Sequence, residues 1–424
     1  MKILLTNHHL AVRAGSELLV TELAEGLRAR GHEVAVFTMF PGALATTWAA
    51  ESGIDVFSPL SGEALLDIRP DVVHVTHWPT LVYLRNIGID PPCVHAFLGV
   101  IPPLENPPPI VGGGAPRCWA VSEETAGNIA AISGWPPADD IEIIRTSIAP
   151  GFDGAARTPP TRLERVAVVS NHFPPDYLRW LQELAGEMAF DLDVYGLPDN
   201  SVEITPEHLT SHDAVVTLGR TAIAAAALGV PVLVLDSSGS DGWLTPDSHG
   251  RIRRHNYSGR AFGLTPDKET IRGWLAAPPS AEQLATVAEL VRATHGFDTN
   301  LDRIEALLTA AAADPTRIRF GRHVDVLHEY QARTTLDRIH LEQRTAERDH
   351  AAAQLEAVSA ERDALATALA ETEAARAAAA DEAATLRIQR DEATARIEAM
   401  TASTSWRITA PARWLTERLR PQTR

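Results

Sequence analysis

KILLTNHHLAVRAGSELLVTELAEGLRARGHEVAVFT, residues 2–38, carries the pattern that sets the fold. Residues 3–6 form a short apolar run suited to a buried strand. Residues 15–30 follow with Leu18, Leu19, Leu23 and Leu27 spaced to keep one helical face buried. Gly31 ends that helix, and residues 33–38 read as the next strand. Strand, helix and strand joined by short loops require a parallel pair with the helix packed on one face. Working outward, strands are expected at 71–76, 93–98 and 117–121. Ser122 is a suitable N-cap for a helix with Glu123 and Glu124 in its first turn. Residues 102–116, rich in Pro and Gly, read as a surface loop near the carboxyl ends of strands.

The pattern breaks at 150–160 (PGFDGAARTPP) and restarts. Strands are expected at 165–170 and 190–195, with a helix at 174–188 between them. A strand–helix–strand unit follows at 213–218, 219–228 and 230–236, and helices at 268–276 and 281–294 close the second lobe. The expected class is therefore α/β, with two Rossmann-like domains, 1–155 and 160–313, facing a cleft. In open sheets of this kind ligands bind outside the carboxyl ends of the strands.

From about residue 336 to 400 the chain has no Gly or Pro and is dominated by Ala, Glu, Arg and Asp. Leu355, Val358, Leu365, Leu369, Ala379, Ala383, Leu386, Ala393, Ile397 and Met400 share one seam of alternating three- and four-residue steps, the heptad spacing. Arg348, Arg362, Arg376 and Arg390 recur every 14 residues on that seam. Residues 330–400 are thus expected to form an α-helical coiled coil able to join copies of the chain; a solvated single helix is the other reading. Residues 401–424 interleave Trp406, Ile408, Trp414, Leu415 and Leu419 with five arginines against one acid, Glu417. Such a basic tail suits the inner membrane face or an anionic partner. A self-packed tail interrupted by Pro411 is the alternative.

Composition narrows the function classes. At 424 residues, with 45% hydrophobic side chains, the chain has apolar material for two cores. A formal charge of −17 argues against a broad nucleic-acid surface. Cys93 and Cys118 lie in apolar runs without metal-ligand spacing, which fits buried thiols in a reducing compartment. The N-terminus reaches Asn7-His8-His9 too soon for a signal-peptide core, so a cytoplasmic location is expected.

Several residues are candidates for chemistry. Gly15 opens a helix after the first strand, where free amides favour an anion, although a glycine there also serves packing alone. Gly219-Arg220-Thr221 begins a helix directly after a strand; the helix dipole, the Thr221 hydroxyl and the Arg220 guanidinium could meet one diphosphate. Arg220 could equally be a surface charge. Residues 256–260, ending in Arg260, form a second candidate phosphate-facing loop. Asp241-Gly242-Trp243 is either a plain turn or a cleft-facing segment.

These segments together resemble the retaining glycosyltransferases of family 4. The resemblance is carried by the opening stretch ending in Gly31-His32-Glu33-Val34, by Asp71-Val72-Val73-His74 and by Ala120-Val121-Ser122-Glu123. It continues from Gly219-Arg220-Thr221-Ala222-Ile223 through Ala227-Leu228-Gly229-Val230-Pro231-Val232, and so covers both lobes. It implies a GT-B fold, a nucleotide-diphosphate sugar as co-substrate, a glycan or lipid-linked acceptor, retention, and neither a metal nor another cofactor. It also places His95 beneath the transferred sugar, where an imidazole could orient or stabilise charge; a satisfied, half-buried core histidine is the other reading. His74 and His77 are expected to pack or cap their strand. The chain departs from the family in three places. Val216 and Ala224 stand where relatives carry glutamates, and Ser170-Asn171-His172 where relatives have Arg and Lys. Thr146-Ser147-Ile148 stands where relatives have Asn-Gly. Sugar transfer in envelope polysaccharide synthesis is the leading expectation. A degenerate scaffold working through its coiled coil is the alternative, and a two-lobed epimerase a third.

Overall fold

A computed structural model describes residues 1–152, 154, 162–196, 202–314, 316–409 and 411–413, with side chains omitted for 322–323, 325–347 and 349–353. The chain divides into two compact units, Met1–Ile339 and His340–Arg424.

The first lobe comprises β1 (Lys2–Leu10), α1 (Gly15–Ala29), β2 (Glu33–Pro41), α2 (Ala43–Ser52), β3 (Asp55–Phe57), α3 (Glu63–Leu66), β4 (Val72–Thr76) and α4 (Pro79–Asn86). It continues through β5 (Cys93–Phe97), β6 (Ile110–Gly113), β7 (Arg117–Ala120), α5 (Glu123–Ala130) and β8 (Glu142–Ile143). Its sheet runs β3-β2-β1-β4-β5-β7-β8, with parallel pairing throughout. Ile3, Leu4 and Leu5 are all fully buried, because helices cover both faces of a parallel sheet and leave no polar side for alternation.

The second lobe comprises β9 (Arg165–Val169), α6 (Pro175–Met188), β10 (Asp191–Tyr195), α7 (Pro206–Thr210), β11 (Ala214–Thr217), α8 (Gly219–Ala227) and β12 (Val232–Asp236). Then come β13 (Gly239–Trp243), α9 (Pro246–Arg254), α10 (Lys268–Ala276) and α11 (Ala281–Thr294). The strand order is β10-β9-β11-β12-β13, parallel except for β13. In each sheet the order reverses beside its first strand, between β1 and β4 and between β9 and β11. Those reversals open crevices at the carboxyl ends.

The chain does not remain in the second lobe to residue 313. Helix α12 (Phe297–Ala312) buries Leu301, Ile304, Leu308 and Ala311 in the first lobe's core beside Leu23 and Leu27 of α1. A Cβ at Gly26 would come within 2.8 Å of Leu301, so the glycine sets how closely the two helices pack. Strand β14 (Ile318–Phe320) then pairs antiparallel with β6, which converts part of the expected 102–116 loop into sheet. Strand β1 also outruns its expected end. Its pairing with β2 continues to Leu10↔Pro41 and carries Asn7, His8 and His9 into the strand.

Helix α13 (Arg322–Ala402) is continuous, and Ser403 caps the short α14 (Thr404–Ile408). In the described part of the C-terminal unit, the seam residues from Leu355 to Met400 are exposed, Leu355 by 69%. Arg362 and Arg390 each bond the next residue, Asp363 and Asp391. Arg413 stacks on Trp406 at 3.4 Å. The expected basic residues from Arg418 onward, with Trp414, Leu415 and Leu419, lie outside the described residues. Among the described residues no helix is long and apolar enough to cross a membrane.

His95 occupies the middle of β5 and is 1% exposed. Its ring stacks with Phe97, meets Trp135 edge-on at 5.0 Å, and its Nε2 lies 3.4 Å from Cys93 Sγ. Burial pushes its pKa down to about 3. His74, His249 and His295 are likewise held near 4, chiefly by burial. Of the two readings, the core histidine is the one this geometry matches, with His95 fully rather than half buried.

Two outcomes follow. The unfolded chain takes up protons on these histidines as pH falls through about 6.5, while the folded chain does not. Stability present at neutral pH is therefore lost progressively between pH 6.5 and about 4, and for His95 down to about 3. His95→Leu should flatten that decline in melting temperature measured against pH; an unchanged slope would remove His95 as a contributor. Leu301→Ala should cost about 2–5 kcal/mol in denaturant titration; a negligible loss would mean that α12 does not support the first core.

Candidate functional site

At the first sheet's crevice, β1 and β4 deliver three histidines. His77 follows β4 with φ 65, and it is 8% exposed. Its Nδ1 accepts the His8 backbone N–H at 3.3 Å, and its Nε2 lies 3.4 Å from Glu105 Oε1. The other Glu105 oxygen accepts the Leu98 N–H at 3.1 Å, which fixes the carboxylate in place. With Nδ1 accepting, the neutral tautomer carries its proton on Nε2, facing Glu105. His8 and His9 approach Nδ1 to Nδ1 at 3.2 Å, and His9 stacks on Phe40 at 4.9 Å. Nearby Glu17 is buried at the start of α1, accepts the Ser16 hydroxyl proton at 2.8 Å, and is held above the usual carboxylate range by burial. Imidazoles and carboxylates in one crevice can accept or donate protons. His77 packs as expected, and it also pairs with Glu105. Nothing in the local sequence marks it, because residues 8, 77 and 105 meet only through the sheet order.

The second crevice lies where β11 passes into α8. Gly219 has φ 57, a conformation that favours glycine, and its N–H donates to Tyr257 O at 2.8 Å. Leu218 at the N-cap provides no side-chain acceptor, whereas α7, α9, α10 and α11 are capped by Thr205, Thr245, Asp267 and Ser280. The amides of Arg220 and Thr221 fall in the first turn, which lacks intrahelical acceptors. Arg220 does not extend into solvent: its guanidinium pairs with Glu22 of α1 in the first lobe. One terminal nitrogen of Arg220 and one Glu22 oxygen remain buried without a hydrogen-bond partner. Thr221 is half-buried beside it, and Gly15 is exposed at the equally uncapped start of α1.

Arg260 is placed elsewhere. It forms a two-pronged pair with Glu124 of α5, at 2.9 and 2.7 Å. Arg220 and Arg260 thus meet different helices of the first lobe. The segment before Arg260 braces the crossing between lobes: Asn256 Oδ1 accepts the Thr146 hydroxyl at 3.0 Å. The buried Tyr257 hydroxyl sits between His249 and His295, and His295 Nδ1 lies 2.6 Å from Thr146 O. Asp241 is 5% exposed and accepts the Phe262 N–H at 2.9 Å, so it anchors that loop and does not face a cleft.

Val216 is fully buried in one core of the second lobe, and Ala224 is buried in the other. A carboxylate at either place would be desolvated without a partner. Among the described residues no group of three or more His, Cys, Asp or Glu side chains is arranged to hold a metal ion.

No family model matches the chain, and no curated protein matches it. Among solved structures, a glycosyltransferase from Rickettsia africae is similar at 14% identity over 73% of this chain and 98% of that one, with a TM-score of 0.48. AviGT4, a glycosyltransferase involved in avilamycin A biosynthesis, is similar at 16% identity over 74% and 99%, with a TM-score of 0.44. The lipopolysaccharide outer core galactosyltransferase WaaB in its apo form is similar at 11% identity over 73% and 99%, with a TM-score of 0.43. The two-lobed Rossmann-like arrangement itself is read from the strand orders and registers of this chain.

Proposed function

We propose that the protein transfers a sugar from a nucleotide-diphosphate donor to a glycan or lipid-linked acceptor. The observation that carries this reading is the uncapped start of α8 at the second sheet's strand-order reversal, directed toward the first lobe. Amides of a first helical turn, the Thr221 hydroxyl and an arginine suit a diphosphate. The first crevice supplies proton-transfer groups in His8, His77 and Glu105. The diphosphate would displace Glu22 from Arg220, exchanging one carboxylate for a more highly charged anion. A work site at the cytoplasmic side of the envelope, with the tail on anionic lipid, belongs to the same reading. So does pairing of copies through the exposed heptad seam of α13.

One observation favours the alternative, a catalytically degenerate scaffold. Both candidate donor-binding arginines are already paired with carboxylates of the first lobe.

The full chain, titrated with UDP-, GDP-, ADP- and TDP-sugars, should gain melting temperature with one of these classes. Arg220→Ala should abolish that gain. Glu22→Gln should lower the melting temperature of the free protein, because it strands a half-buried guanidinium, and enlarge the gain on ligand binding. No gain with any donor, from protein shown to be folded, would select the scaffold. Light scattering of the full chain should give at least twice the monomer mass, and Leu365→Asp with Leu386→Asp should return it to monomer. A monomeric parent would leave α13 a solvated single helix.

A further inference from the structure

A cavity of about 760 Å³ lies between the start of α5 and the end of α9. Its walls include Glu123, Glu124, Arg251, Arg253, Arg254 and His255. Each acid is already neutralised by an arginine. Arg145 bonds Glu123 at 2.7 and 3.1 Å, and Arg260 bonds Glu124 at 2.9 and 2.7 Å. That leaves Arg251, Arg253 and Arg254, none of which makes an ion pair among the described residues.

Three guanidiniums within four residues repel one another, and Arg251 and Arg254 share a helix face at the i,i+3 spacing. The negative end of α9 offsets part of that repulsion. It does not account for their gathering opposite a second helix, nor for their positioning. Arg251 is held over the Phe262 ring at 4.5 Å, and Arg253 Nε is buried without a hydrogen-bond partner. On a chain with a formal charge of −17, this is an arginine-rich site of small-molecule size, in which five guanidiniums, those of Arg145 and Arg260 included, stand against Glu123 and Glu124. Arginine forks match phosphate oxygens in pairs, and three such charges suit more than one phosphate.

We propose that this cavity is an anion site, distinct from the start of α8, that takes a compound bearing a diphosphate group. It holds independently of the transferase reading. The diphosphate could belong to a nucleotide or be free pyrophosphate, and the test separates the two.

Calorimetric titration of the full chain at fixed ionic strength would use inorganic pyrophosphate, inorganic phosphate and UDP. Pyrophosphate should bind at a site that does not require Arg220, at least tenfold more tightly than phosphate. Binding should weaken at least tenfold in the double variant Arg251→Ala/Arg254→Ala, whose changes are exposed and spare the core. It should persist in Arg220→Ala and in Arg387→Ala/Arg396→Ala, which removes the same charge from the exposed surface of α13. UDP binding more tightly than pyrophosphate, with the same dependence on Arg251 and Arg254, would assign the site to a nucleotide. UDP binding more weakly would assign it to free pyrophosphate. Absence of pyrophosphate binding, equal affinity in the Arg251/Arg254 variant, loss in Arg220→Ala, or equal weakening by the α13 variant would each overturn the proposal.

Discussion

The boundary between the two lobes is set by arginines of the second lobe seated on carboxylates of the first. Arg220 meets Glu22 and Arg260 meets Glu124, each pair largely withdrawn from water. Such pairs contribute little net stability, because desolvation offsets their attraction, but removing one partner strands a charge. They therefore act more as a constraint on how the lobes meet than as a source of adhesion. Arg145 adds to this constraint by holding Glu123 while reaching the Arg253 carbonyl.

This constraint gives the cleft its chemistry. Under the proposed reading, carboxylates occupy the positions that the diphosphate would take, so ligand binding and lobe contact would compete for the same guanidiniums. Population of a liganded state then depends on the difference in affinity between carboxylate and phosphate for one arginine. The crossing segments are fixed separately, by Asn300 on Arg145 O and Ser147 and by His295 on Thr146 O. Exchange at the arginines therefore need not dismantle the connection between lobes. Helix α12 reinforces it, since the chain returns to the first core after completing the second.

Much of the architecture was legible locally. Unbroken apolar strands and one-sided helices identify parallel sheets covered on both faces, and the observed α1, β2, β9, β11 and α8 lie where that periodicity places them. The helix after Ser122 begins as its capping chemistry requires, with Ser122 accepting the Thr125 N–H at 3.2 Å. The return of α12 was hidden, because a one-sided apolar helix carries no label for the sheet it will cover. The pairing of β6 with β14 was hidden as well: a Pro- and Gly-rich stretch becomes a strand only when a distant segment supplies the hydrogen bonds.

Amino-acid order by itself determined the two α/β lobes, the long helix with its heptad seam, and the helix start at Gly219-Arg220-Thr221. These follow from local periodicity and from backbone groups that every helix start leaves unbonded. Tertiary structure alone decided that His95 is a core residue and that His77 joins Glu105. It also decided that Arg220 and Arg260 are engaged by acids more than a hundred residues away. Burial and partnership of polar side chains depend on strand order and on how the lobes meet, and neither is written in the spacing of residues along one segment.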